Sequence, residues 1–270
     1  MDYVNILVII ISIVLAYLAV PILLKVLTKG NVLESNYKGE NIPICMGLLF
    51  VFVQVFNLSI LYLFFVDDIN YIIYLFSLIL IGFVGLMDDL MGEKDVKGLK
   101  GHILNFLKGN PTTGGIKAGV GFLVSLFVSM TLSSNIIDII INTMVIALFT
   151  NLINLFDLRP GRSSKVFILF SIIMLISSTA RVYGNILYSF LGLLLIYLPL
   201  DLKAKVMMGD VGSNTMGFTL GIYCAYSQSL MAQMIYLLFL IILHVLAEKV
   251  SFTKIIEKNK VLRLLDNLGR

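Results

Sequence analysis

Residues 70–89 read NYIIYLFSLILIGFVGLMDD. The stretch has no basic residue, and its only acids are the last two positions, Asp88 and Asp89. A helix crossing the roughly 30 Å hydrocarbon core of a bilayer needs about 20 apolar residues. This run has that length and shows no polar face of the kind a soluble surface helix carries. The rest of the chain agrees. Of its 270 residues 59% are hydrophobic and 13% charged, against about 45–50% and about 25% in ordinary soluble proteins. Mean hydropathy is +0.99. One water-soluble core cannot hide such an excess, since a chain this size still needs a polar surface. A soluble enzyme, a disordered tail and a nucleic-acid-binding module are thereby excluded. Cys45 and Cys224 both lie in apolar runs, so no disulfide framework is indicated.

Nine apolar segments are predicted, at roughly 4–27, 44–66, 70–88, 115–133, 136–155, 165–180, 184–200, 211–226 and 230–248. The fold class is therefore an all-α polytopic membrane protein with about nine transmembrane helices. Residues 1–270 read as a single integral membrane domain. The gaps alternate in charge. Loops at about 28–43, 89–114, 156–164 and 201–210, the tail 249–270 and their flanks hold nineteen of the twenty Lys and Arg residues; only Arg181 lies on the other side. Basic residues mark the cytoplasmic side. The N-terminus is thus expected outside and the C-terminus inside, and the basic face suits anionic lipid and phosphorylated ligands.

Four polar clusters fall on that basic face. Asp88 and Asp89 close the third segment; adjacent carboxylates beside a low-dielectric region repel each other, and a divalent cation relieves that cost. Asn151, Asn154 and Asp157 close the fifth, three residues apart, so they share one stripe of a helix. Such a stripe either faces a wet cavity or serves as hydrogen-bonding glue between helices. Met208-Gly209-Asp210-Val211-Gly212-Ser213 opens the eighth. It reads either as a capped helix or as a phosphate-facing helix start with bare glycines. Gly217 and Gly221 beyond it suit helix packing. Lys97, Lys100 and His102, continuing to Thr112, Thr113 and Lys117, form a Gly-rich basic stretch able to hold phosphate.

Taken in order, these clusters resemble the polyprenyl-phosphate N-acetylhexosamine-1-phosphate transferases. Lys38 with Ile42-Pro43 and Gly47, the Asp88-Asp89 pair, Asn151-x-x-Asn154-x-x-Asp157 and Met208-Gly209-Asp210-Val211-Gly212-Ser213 each resemble a family motif. The resemblance is expected to run from about Tyr37 to the C-terminus. It implies transfer of a sugar-1-phosphate from a UDP-linked amino sugar to undecaprenyl phosphate, with release of UMP. It implies Mg²⁺ (with Mn²⁺ as a substitute), initiation of a cell-envelope glycan, and an active site on the cytoplasmic face of the bacterial inner membrane. Asp88, Asp89 and Asp210 would be catalytic, with Asp210 and Asp89 as metal ligands. Lys38, Lys117, Asn151, Asn154, Asp157, Gly209 and Ser213 would bind substrate. A homodimer is compatible with it; nucleic acid is not a partner.

The chain departs from the family at two places. After Asp157 it reads Leu158-Arg159-Pro160-Gly161-Arg162, where the family has a second aspartate at the position of Pro160. The C-terminal stretch from Asn259 to Arg270 keeps the frame of a family segment without its histidines. The chain is therefore expected to be a divergent member. Two alternatives stay open: an inactive relative acting as a binding or scaffold protein, and a transporter. A transporter would carry its acids near the midplane, whereas these gather at one face.

Overall fold

A computed structural model describes residues 3–92, 110, 112–178 and 183–270. Helix α1 (Tyr3–Lys29) leads into a hairpin of β1 (Leu33–Ser35) and β2 (Asn41–Pro43). There follow α2 (Leu48–Phe64), α3 (Ile69–Met91), α4 (Thr113–Leu132), α5 (Ile136–Phe156), α6 (Arg162–Ser177), α7 (Gly184–Leu202), α8 (Gly209–Ser227) and α9 (Leu230–Lys249). The tail forms α10 (Phe252–Lys258) and α11 (Lys260–Asn267). Each of the nine expected segments is one helix, with ends within a few residues of those predicted. Among the described residues six of them, α1, α3, α4, α5, α7 and α9, are long and apolar enough to cross a membrane. The other three are shorter or more polar: α2 has 17 residues, α6 has 16 and begins with Arg162, and α8 is rich in Gly, Ser and Thr.

The polarity of α8 follows from its place. It is buried along nearly its whole length, against α5 and α3. Lipid never meets it, so it needs small residues rather than apolar ones. A Cβ added at Gly221 would come within 2.7 Å of Ile146 Cα, and one at Gly217 would strike the α5 backbone at Thr150. These two glycines serve packing, as expected. Tyr74 of α3 and Thr219 of α8 pair their hydroxyls at 3.0 Å. A second tie sits between α1, α2 and α7. Asn57 Nδ2 donates to the Val8 carbonyl at 2.8 Å and to Ser189 Oγ at 2.8 Å, and Ser12 and Ser189 lie 2.9 Å apart. Away from water a polar side chain left unpaired is costly, so such knots fix which helices meet.

The hairpin was not foreseen; the stretch 28–43 reads as a plain loop. Strands of three residues carry almost no periodic signal. What holds the turn is Asn36, whose Oδ1 accepts the N–H groups of Lys38 (2.9 Å) and Glu40 (3.0 Å). The hairpin is lashed to the segment before α8. Met207 N–H donates to the Pro43 carbonyl at 2.8 Å, and Met46 and Gly47 donate to the carbonyls of Met207 (3.0 Å) and Met208 (2.9 Å). The hairpin, the C-terminal ends of α3, α5 and α7, and the N-terminal ends of α4, α6 and α8 thus meet at one end of the bundle.

Candidate active site

Two helix ends place the aspartates. Asp88 and Asp89 stand in the last turn of α3, and α8 starts directly against them. The fit needs glycine twice. Gly85 leaves room for the backbone of Val211, 2.7 Å from where a Cβ would stand. Gly209 has φ of 68° and would drive a Cβ into the Asp89 carboxylate. In that position Asp89 Oδ1 accepts the N–H of Asp210 at 2.7 Å and Oδ2 accepts that of Val211 at 3.1 Å. Asp89 therefore caps α8 from another helix, bringing negative charge to the positive end of a helix dipole. Of the two readings of this segment the structure has the capped helix, with the cap supplied by Asp89 rather than by a residue of α8. The N–H groups of Asp210 and Val211 are already committed, and Asp210 points elsewhere.

Asp210 points to Lys117. The Lys117 ammonium, in the second turn of α4, lies 2.7 Å from Asp88 Oδ2 and pairs with Asp210 Oδ2. One cation thus bridges carboxylates of two helices, and all three side chains keep partial access to solvent. Of the adjacent aspartates it is Asp88, not Asp89, that faces Asp210. Among the described residues no three His, Cys, Asp or Glu side chains converge as a ready-made metal cage. A pair of carboxylates is nonetheless the donor set Mg²⁺ takes when phosphate oxygens and water complete its shell.

Beside this cluster opens a cavity of about 470 Å³. Asp89, Gly209 and Asp210 form one wall, Asn154 and Asp157 another, and Tyr37 of the hairpin turn faces them. Asn154 is held by α8: Ser213 Oγ donates to its Oδ1 at 3.3 Å. Asp157 caps the end of α5 and accepts from Ser163 Oγ at 2.9 Å. Burial, together with negative Asp201 nearby, pushes its carboxyl up to about 8, against the opposing pull of that hydroxyl.

The expected site residues divide accordingly. Asp88, Asp89, Asp210, Lys117, Gly209, Asn154 and Asp157 come together. Ser213 is fully buried and supports Asn154 rather than facing the cavity. Lys38 sits at the exposed hairpin tip with its ammonium 5.5 Å from the Tyr37 ring, and Asn151 is exposed; neither lines the cavity. Lys97, Lys100 and His102 lie outside the described residues. Asp201, Tyr37 and Arg159 are among the cavity residues to which sequence reading gave no role. Asp201 is an acid closing an apolar run, the same signal that marks Asp88. Tyr37 and Arg159, whose guanidinium lies 5.6 Å from the Tyr37 ring, depend on the unforeseen hairpin.

The turn between α5 and α6 is also clamped from behind. Arg162 is buried and grips Asp266 of α11 with Nε (2.8 Å) and Nη2 (2.9 Å), while Nη1 reaches Thr253 at 3.1 Å. Arg270 joins the same carboxylate at 3.1 Å and donates to the Pro160 carbonyl at 2.7 Å. Burial alone would raise the Asp266 carboxyl, but the two guanidinium groups hold it below the usual carboxylate range. The two places where the chain departs from the family pattern are therefore bonded to each other.

Residues 71–228, more than half of the chain, match the family described as Glycosyl transferase family 4. The chain belongs to that family. Its members are the polyprenyl-phosphate hexosamine-1-phosphate transferases, and this one is divergent. No curated protein matches the chain significantly. The match to Glycosyl transferase family 4 takes in both aspartate motifs and the Asn-rich stripe. It is narrower than the expected span from Tyr37 to the C-terminus, and leaves out both the hairpin and the tail.

Proposed function

We propose that the protein transfers a HexNAc-1-phosphate from a UDP-sugar to undecaprenyl phosphate, releasing UMP, as the first step of a cell-envelope glycan. The observation that carries this reading is the convergence of Asp88, Asp210 and Lys117 beside a cavity that Asp210 also lines, where an apolar bundle end meets solvent. That is where a membrane-held phosphate and a soluble nucleotide sugar can meet. The charge asymmetry supports nine crossings, with the N-terminus outside and this end facing the cytoplasm.

Asp88 and Asp210 would hold Mg²⁺, rather than the Asp89 and Asp210 that the resemblance implies. Bound there, the ion would neutralise charge on the diphosphate, the largest electrostatic demand in phosphoryl transfer. Asp89 is a positioning residue: its two bonds to the start of α8 fix where the Asp210 carboxylate stands. Lys117, now held by both carboxylates, would turn its ammonium to phosphate oxygens when substrate arrives. Asn154 and Asp157 would face the donor. Asp157, carrying a proton near neutral pH, can donate a hydrogen bond to a carbonyl or hydroxyl rather than repel a phosphate.

The test is a donor panel: purified protein, undecaprenyl phosphate, Mg²⁺ and several UDP-sugars, read by UMP formation. UMP release with at least one UDP-HexNAc is expected. Folded protein that releases none with any donor overturns the reading.

A further inference from the structure

The tail beyond α9 has a side that no other described residue covers. At about 100° per residue, Val261, Leu264, Leu265 and Leu268 fall within an arc of about 100°. They are 65%, 70%, 55% and 65% exposed. Asp266, which anchors the helix to Arg162, lies about 150° from the centre of that arc. The helix is thus pinned to the bundle by its polar side and turns its leucines away. Basic residues surround them: Lys249 to Arg270 holds six Lys and Arg against two acids, and one of those, Asp266, is already paired.

The occupant follows from charge and continuity. The tail leaves α9, an outer helix with only Gln233 and Leu240 buried and an apolar surface otherwise fit for lipid. Only Val250 and Ser251 separate it from α10. A short amphipathic helix with basic flanks, starting where a lipid-facing helix ends, has the pattern of an element lying in the headgroup region.

We propose that α11 docks on an anionic lipid surface, with Val261, Leu264, Leu265 and Leu268 entering the acyl boundary and Lys258 and Lys260 meeting headgroup phosphates. Through Arg162 and Asp266 the bilayer surface then becomes a rest for the α5–α6 turn that walls the cavity.

The chain contains no Trp, so a single introduced one reports without background. The full-length protein carrying Leu264→Trp is placed in phosphatidylcholine vesicles with brominated acyl chains, with or without phosphatidylglycerol. Leu238→Trp on α9 is the positive control. The expected result is quenching of Leu264→Trp approaching that of the control, stronger with the anionic lipid. Adding Lys258→Gln and Lys260→Gln should remove the dependence on phosphatidylglycerol. A Leu264→Trp emission unquenched in both vesicles, while the control is quenched, overturns the proposal. So does an emission that shifts only with protein density, which would mark contact with a second copy. None of these readouts requires turnover, so the outcome is separate from that of the transferase reading.

Discussion

Two walls beside one cavity carry partly buried acid, and they neutralise it differently. At the α3–α8 junction, Asp88 and Asp210 share the Lys117 ammonium. At the α5–α6 turn, Asp157 lies close to Asp201, and among the described residues its side chain bonds the Ser163 hydroxyl rather than a cation. The first wall keeps its charges by pairing them. The second gives its charge up by holding a proton. Ion pairing leaves two carboxylates ready to exchange one cation for another, whereas protonation leaves a neutral hydrogen-bonding surface. On the proposed function, the phosphates would meet the first wall and the uncharged parts of a donor the second.

The contrast breaks most visibly on Asp210→Asn. If the first wall handles the phosphates, turnover should fall by about 10²–10³-fold, as when a preorganised charge-stabilising group is lost. Asp157→Asn, which resembles the protonated acid, should leave turnover of the same order; UMP assays of both variants compare the walls directly. Next in size is the clamp behind the second wall. Asp266→Ala strands the buried Arg162 guanidinium and should cost about 3–5 kcal/mol, seen as a lower thermal midpoint in detergent. A midpoint like that of the parent would mean the tail is not docked.

Lys117→Ala tests the first wall without turnover. Two partly exposed carboxylates would be left facing each other, a loss of about 1–3 kcal/mol. Added Mg²⁺ should restore more stability to this variant than to the parent, since an ion that binds only the native state stabilises it by mass action. Equal Mg²⁺ responses would argue against a cation place between Asp88 and Asp210. A further effect concerns pH. The Asp157 carboxyl is raised from 3.8 to about 8, so the native state binds its proton more tightly than the unfolded chain does. Its stabilising contribution is full below about pH 4 and is lost as pH rises through about 8. Asp157→Asn should flatten that part of a thermal-midpoint profile; an unchanged slope would show that Asp157 is ionised throughout.

Much of this was legible beforehand. Apolar runs in a chain this hydrophobic leave few alternatives to helix, so all nine helices are readable, although among the described residues six are long and apolar enough to span a bilayer. Asp88, Asp157 and Asp210 stand out because charge is scarce in such a chain. Pairing was not legible: adjacent Asp88 and Asp89 are indistinguishable in one dimension, and only the approach of α8 sends one to Lys117 and the other to a helix cap. The hairpin around Tyr37 was missed because three-residue strands have no period to detect, and with it went Lys38, placed at the tip rather than in the cavity. The Arg162–Asp266 clamp joins residues 104 apart, a distance no local pattern bridges.

The central claim, that Asp88 and Asp210 form a cation-dependent phosphoryl-transfer centre, is most directly tested by one titration. UMP release from a UDP-HexNAc and undecaprenyl phosphate is followed as Mg²⁺ is added back to chelator-treated protein, for the parent and for Asp210→Asn. The parent should rise from no release to saturation while the variant stays near baseline. Release by the parent without any divalent cation, or a variant curve that overlays it, would contradict the account.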